Sequence, residues 1–452
     1  MKELNTIYAI SPIDGRYAET VENLREYFSE YALIKYRVLV EVKWLIKLFG
    51  DNAVLTDIEQ LTKEEEDKLN GLFDLFTIED ALRVKEIEST TKHDVKAVEY
   101  FIREKITNTS LERFSSFIHF ACTSEDISNL AYGLMLKETL NKVLIPMQEE
   151  LKNKVKEVAK ETINKPMLAH THGQSASPTT VGKEFLVFVE RWENVIDLIK
   201  NAKITGKFSG AVGNFNAHLA AYKNVKWDIV SKEFVEGLGI SHNRITTQIE
   251  PHDNLAIVCN LIKTFNNITM DFNSDMWLYI SMGYFKQKTV KGEVGSSVMP
   301  HKVNPINHEN SMANIRIANS ILNALADNLP ISRMQRDLSD SSMQRNIGVG
   351  VAHTMVSIKQ SVIGFDKMIL NEEVLLRDLE NNPEVLAEAI QTVLRKNGYV
   401  DAYEILKDLT RGKRVTIESV KEFINTLEIP KEDKNTLLEL SPQTYIGMAD
   451  KF

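Results

Sequence analysis

Residues 180–199, TVGKEFLVFVERWENVIDLI, decide the architecture of this 452-residue chain. Val181, Phe185, Phe188, Trp192, Val195 and Ile199 recur at spacings of 4, 3, 4, 3 and 4, the heptad seam of a helix packed lengthwise on other helices. Ser177 and Pro178 just upstream predict an N-cap followed by proline in the first helical turn. Leu186, Val187 and Val189 carry apolar surface beyond the seam, so more than one face needs covering. The pattern returns at Leu255, Val258, Ile262, Phe265, Phe272 and Met276, with Thr269 in one seam slot, over roughly 30 Å of helix. Further helices are expected over 136–161, kinked near Pro146, over 307–328 and over 347–370.

Working outward, the expectation is an all-α chain of three helical domains, 1–112, 113–365 and 366–452, the central one built of the long helices, with no large sheet and at most short hairpins. Glycine and proline together are roughly 7% of the chain against about 12% in average usage, which favours helices over turn-rich sheets. The acidic run at 64–67 reads as a solvated helix face. A net charge of −9 argues against a nucleic-acid partner, because phosphate backbones call for clustered excess cation. Two cysteines, an amino terminus without an apolar signal core and no membrane-length apolar run predict a reduced, soluble, cytoplasmic protein without a membrane partner. Ten histidines come without HExxH or clustered His/Asp spacing, and CxxC is absent, so no metal site is expected. No glycine-rich nucleotide loop follows a strand pattern, which argues against nucleotide hydrolysis and hydride transfer.

The chemistry is concentrated at 292–310, GEVGSSVMPHKVNPINHEN, where Gly292, Gly295, Pro300 and Pro305 interrupt all hydrophobic periodicity. The segment resembles the signature loop of the fumarase/aspartase superfamily, whose members eliminate fumarate from a substituted succinate. Such an elimination needs a base for a weakly acidic proton beside a carboxylate, stabilisation of the doubly charged intermediate, and an acid for the leaving nitrogen. Ser296 serves as that base only if backbone N–H groups of the Gly295-Ser296-Ser297 turn and the Lys302 ammonium stabilise its alkoxide away from water. Lys302 and Asn304 are also candidates for a substrate carboxylate. Taken alone, a Gly-Ser-Ser sequence is merely a flexible polar turn.

A second constellation, AHTHGQSASPTT at 169–180, offers His172 as the acid, since imidazole titrates near neutral pH with an ordinary pKa of about 6.5. His170 reads as a packing or capping residue. Glu309 is either the carboxylate that orients the imidazole or a surface glutamate at a helix start. A third constellation joins STTKHDVKAVEY at 89–100 with TSEDISN at 123–129. Thr123 and Ser124 before Glu125 and Asp126 form an ordinary helix N-cap with an acidic first turn, and the same helix end binds anions. His93 beside Asp94 has the arrangement of an imidazole positioned by a carboxylate, suited to phosphate binding or acid–base support.

In order along the chain, SPIDGRY, TTKHDVKAVEY, TSEDISN, THGQ, TTQIEPHD, GSSVMPHKVNP and QRDLSDSSMQRN resemble the branch of the superfamily that acts on succinylated purine nucleotides, and the likeness covers essentially the whole chain. The resemblance implies a homotetramer with a central bundle of long helices and active sites shared between subunits. It implies cleavage of adenylosuccinate to AMP and fumarate, and of the succinyl-carboxamide ribonucleotide earlier in purine synthesis, with no cofactor. Carried to matching positions, it makes His172 the general acid and Ser296 the general base, with Glu309 supporting His172 and with His93 and Lys302 in the catalytic set. Arg16, Tyr17, Lys92, His93, Asp94, Thr123, Ser124, Gln248, Ser297, Lys302, Asn304, Asn310, Arg336, Ser341 and Arg345 fall at substrate contacts. Ser175 departs from the proline or threonine expected after THGQ and bears on loop stiffness alone. The competing readings are a sister lyase such as argininosuccinate lyase, which needs no phosphate site, and a non-catalytic helical bundle.

Overall fold

The computed structural model describes residues 6–288, 299, 302–410 and 415–452. Helices dominate. α1 (Glu30–Phe49), α2 (Lys63–Asp74), α3 (Ile78–Thr91), α4 (Asp94–Ile106) and α5 (Ser124–Thr139) come first, followed by α6 (Ile145–Glu161) and α7 (Val181–Lys200). The short α8 (Asn216–Ala221) and α9 (Trp227–Gly237) lead to the long α10 (Asp253–Ser281) and α11 (Ile306–Asn328), then α12 (Ser339–Gln344) and α13 (Ile347–Asp366). Five shorter helices complete the chain: α14 (Glu372–Glu380), α15 (Ala387–Lys396), α16 (Ala402–Thr410), α17 (Ile417–Thr426) and α18 (Lys431–Glu439). The strands make three two-stranded ladders: β1 (Pro166–Thr171) antiparallel to β2 (Gln174–Thr180), β3 (Thr205–Gly206) parallel to β4 (Ser241–His242), and β5 (Phe285–Gln287) antiparallel to β6 (Met368–Leu370). No helix among the described residues is long and apolar enough to cross a membrane.

The chain divides into two compact units. The first comprises Met1–Gln148, Val195–Asn267 and Ala313–Lys359; the second comprises Glu149–Asn194, Ile268–Met312 and Gln360–Phe452. All six seam residues of α7 are buried, as are Val258, Ile262, Phe265, Phe272 and Met276 of α10, whereas Leu255 is half-buried. In the second unit Phe185, Phe272 and Phe365 bring α7, α10 and α13 together, with ring centroids 5.5 Å apart for Phe185–Phe365 and for Phe272–Phe365. Thr269 keeps its seam slot because the indole of Trp192 donates to its hydroxyl at 3.1 Å, so that two buried polar groups satisfy one another. In the first unit Asn266 of α10 donates to Asn319 of α11 and to Thr354 of α13, at 3.0 and 2.9 Å.

Several boundaries differ from the sequence reading, each for a local reason. α7 begins at Val181 rather than near Pro178, because Ser177 and Pro178 lie in β2. Thr180 is the residue that caps the helix, its hydroxyl accepting the Lys183 N–H at 3.2 Å. The kink expected near Pro146 is a π-turn over Leu140–Leu144, with the Ile145 N–H reaching back to Leu140 O. Proline lacks an N–H and crowds the carbonyl four residues back, so the turn before it widens instead of breaking. α13 stops at Asp366, and Met368–Leu370 leave to pair with β5. The acidic run is only half solvated: Glu65 is buried against Arg113 with a shortest contact of 2.5 Å, and Glu66 is buried and accepts the Asp51 N–H at 3.0 Å.

Candidate functional site

In the first unit a cleft of about 250 Å³ opens between the amino-terminal ends of α4 and α5, the segment leading into α10, and α12 with the residues before it. Seven of the predicted contacts line it: His93, Asp94, Thr123, Ser124, Gln248, Arg336 and Ser341. They come from four sequence motifs spread over about 250 residues. The starts of α4 and α5 both line this one cleft, and a helix start carries a positive dipole end that suits an anion.

The local conformations follow from the sequence. His93 is the N-cap of α4, its Nδ1 accepting the Lys96 N–H at 3.1 Å, while Nε2 lies 3.4 Å from the Ser124 hydroxyl. The hydrogen bond that fixes the imidazole thus comes from backbone, with Asp94 Oδ1 close by at 3.8 Å from Nδ1. Asp94 meets Arg37 at 2.8 Å and Arg345 at 3.4 Å and accepts the Val95 N–H at 2.9 Å. Burial opposes its ionisation, but Arg37 and these hydrogen bonds outweigh it and hold the carboxyl below the ordinary range. Thr123 caps α5, and its N–H donates to Asp126 at 2.8 Å. Asp126 is fully buried and is paired with the equally buried Lys207 at 2.7 Å. It also accepts the Ser209 and Gly210 N–H groups, at 2.9 and 3.1 Å, so one carboxylate joins the start of α5 to the loop after β3. Gln248 is tied to the same loop through Ala211 O at 2.9 Å.

The guanidinium of Arg336 lies 3.4 Å from Glu125, 3.3 Å from Gln248 and 3.6 Å from Asp340. Among the described residues, Glu125, His252 and Asp340 form a buried group whose potential metal-ligand atoms lie within 4.8 Å of one another. The positive charge that its two carboxylates face is the Arg336 guanidinium.

The remaining predicted residues lie elsewhere. Arg345 lines a neighbouring pocket with Glu30, which it meets at 2.6 Å. Arg16 and Lys92 are exposed and Tyr17 is half-buried, all outside the cleft lining. In the second unit His172 and Gly173 form the two-residue tip of the β1–β2 hairpin, with φ of 53° and 73° and Thr171 paired to Gln174. Two consecutive positive φ values mark a type I′ turn, in which glycine supplies the freedom and histidine is among the tolerated residues. The imidazole is therefore exposed at a tip. Ser175 donates to Asn382 at 2.9 Å and ties the hairpin to the end of α14. Glu309 is exposed at the start of α11 and accepts from the Trp277 indole at 3.1 Å. No hydrogen bond joins it to His172 among the described residues. Lys302 is exposed, and Asn304 and Asn310 are half-buried. Ser296 and Ser297 lie outside the described residues.

Sequence reasoning missed Arg37, Glu125, Ser128, Tyr132 and Gln344 in the cleft lining, and Asp340 and His252 behind it. Arg37 did leave a signal, a cation inside the apolar run of α1 that is almost wholly buried.

The family described as lyase matches residues 15–319, and the family described as adenylosuccinate lyase C-terminal matches residues 332–446. The chain is 49% identical to the adenylosuccinate lyase of Haemophilus influenzae and 48% identical to that of Escherichia coli, in each case over 99% of this chain and 98% of the relative. Among solved structures it is similar to a fumarate lyase from Mesorhizobium sp. BNC1, with a TM-score of 0.75 at 16% identity over 95% of this chain and 96% of that one. It is also similar to the 3-carboxy-cis,cis-muconate lactonizing enzyme from Pseudomonas putida, with a TM-score of 0.71 at 17% identity over 95% and 94%. At such identities these two likenesses speak to the fold.

Proposed function

The chain belongs to the adenylosuccinate lyase family, and from that membership we propose how its residues divide the work of the reaction. The activity is that of a fumarate-releasing lyase of purine biosynthesis, cleaving adenylosuccinate to AMP and fumarate and acting likewise on the succinyl-carboxamide ribonucleotide. The observation that carries the reading is identity of nearly one half along 99% of the chain.

In the proposed mechanism Ser296 removes the proton beside the succinyl carboxylate, and Lys302 with the turn amides offsets the charge that develops. His172 protonates the leaving nitrogen from the hairpin tip, a position that lets an exposed imidazole enter a site completed by another copy of the chain. Glu309 supports that imidazole within the assembly. The cleft of the first unit takes the nucleotide: the N-termini of α4 and α5, with His93, Thr123, Ser124 and the Arg336 guanidinium, suit its phosphate, and Gln248 and Ser341 supply further polar contacts. Arg16, Tyr17, Lys92, Asp94, Ser297, Asn304, Asn310 and Arg345 complete the proposed contact set. No cofactor is required, because both proton transfers are assigned to side chains.

A homotetramer with shared sites is part of the same proposal. It is supported by apolar side chains left exposed on the long helices, among them Leu198, Ile257, Leu278 and Ile317. A cytoplasmic location accords with two cysteines that are both unpaired.

The test is fumarate release by the purified protein given adenylosuccinate, argininosuccinate, aspartate and malate in parallel, with EDTA present. Release from adenylosuccinate alone is expected; release from a different substrate overturns the assignment.

A further inference from the structure

Arg336 enters the cleft already facing two carboxylates, Glu125 at 3.4 Å and Asp340 at 3.6 Å, and the amide oxygen of Gln248 at 3.3 Å. Behind them His252 Nε2 lies 3.7 Å from Asp340 and Nδ1 lies 3.8 Å from Glu250. Glu125, His252 and Asp340 are only 2%, 3% and 6% exposed. Each keeps a buried polar atom without a hydrogen-bond partner: Glu125 Oε1, His252 Nε2 and Asp340 Oδ2, together with Arg336 Nε. Buried polar atoms are ordinarily satisfied, so four orphans in one cluster beside a cleft call for an explanation.

The electrostatics supply one. A guanidinium balanced by two carboxylates has little field left for an incoming anion, and an anion bound there also meets the carboxylates at short range. Loss of one negative charge from the cluster removes both penalties and gives an orphaned oxygen a proton to donate. We propose that binding of an anionic substrate group at Arg336 draws a proton into the buried Glu125–His252–Asp340 cluster, whose members act as positioning residues for that guanidinium. The inference rests on the reading of Arg336 as a substrate contact.

The cluster is poised for this. Burial pushes the Glu125 carboxyl up to about 7, with Arg336 lowering it and Asp340 raising it. Burial works against a charged His252, but Asp340, Glu125 and Glu250 outweigh it and raise its pKa. His252 and then Lys207, which lies on the loop after β3 and is paired with Asp126, also act on Glu125, both lowering it. An anion at Arg336 cancels the pull of the guanidinium on Glu125, so the carboxyl binds its proton more tightly in the complex. Proton uptake is therefore expected above about pH 7, and it fades at lower pH where the cluster is already protonated.

The experiment is calorimetric titration of the full-length protein with AMP at about pH 8, repeated in buffers of different ionisation enthalpy. At that pH the AMP phosphate is already dianionic, its second pKa being about 6. We expect uptake of at least about half a proton per site in the wild type. Glu125→Gln, which keeps the shape and mimics the protonated acid, is expected to abolish uptake while AMP still binds and to flatten the pH dependence of affinity. Asp340→Asn provides the same reading should Glu125→Gln fail to fold. Binding without proton exchange in the wild type, or uptake that persists in both variants, overturns the inference. AMP binding unchanged in Arg336→Lys overturns the reading of Arg336 itself, and the inference with it.

Discussion

His218 shows what a single buried group does to this protein. It is 1% exposed, packed among Trp44, Phe215 and Trp227, and neither ring nitrogen has a partner. Burial lowers its pKa to about 4. A histidine with a folded pKa below its unfolded value binds fewer protons when folded, so its contribution is complete above about pH 6.5 and is lost as pH falls toward 4. The expected outcome is that stability in urea declines over that window and declines less steeply in His218→Phe; parallel curves would show that other groups govern acid unfolding. The proposed base is also tested at this scale. Ser296→Ala is expected to lower turnover by at least about 100-fold without altering the circular dichroism spectrum, and near-normal turnover would remove Ser296 from the mechanism. The roles proposed for His172 and Ser296 come from sequence reasoning, because each sits in a contiguous motif. The carboxylates around Arg336 were not, because Glu125 and Asp340 come together only after 214 intervening residues have folded.

At the scale of the element, the β1–β2 hairpin and the start of α7 replace the extended helix start that Ser177 and Pro178 suggested. Proline is compatible with either a first helical turn or a strand without a neighbour on its N–H side, so the residue type did not choose between them. The choice came from pairing: β1 and β2 stay paired as far as Pro166 and Thr180, and only then can the helix begin. Thr180→Ala is therefore expected to cost about 1 kcal/mol in urea unfolding, as a lost N-cap does, while Ser177→Ala stays within about 0.5 kcal/mol. Equal losses would restore Ser177 as the cap. The heptad seams needed no such arbitration, since a spacing of 3 and 4 fits only one secondary structure and every α7 seam residue is buried.

At the scale of the molecule, the long helices bury their seams and still expose apolar side chains, with Leu198 at 57% and Ile317 at 50%. If these faces pair between copies, Ile317→Lys is expected to yield a smaller species in analytical ultracentrifugation together with loss of activity; an unchanged sedimentation coefficient would count against the shared-site tetramer. Mixing is the complementary measurement. Inactive His172→Gln and Ser296→Ala proteins, once their subunits exchange, are expected to regain a fraction of wild-type activity, because some sites then draw one intact copy of each residue from different chains. Continued inactivity after verified exchange would place both residues in one chain's site.

The linear sequence determined the helical class, the seam positions and the motifs proposed to carry the reaction, because periodicity and contiguous motifs are properties of neighbouring residues. Tertiary structure alone decided which motifs share a cleft, that the hydrogen bond fixing His93 comes from backbone, and that Glu125, His252 and Asp340 surround Arg336. The reason is physical: burial, and the field of one charged group on another, depend on distances in space that residue numbers do not encode.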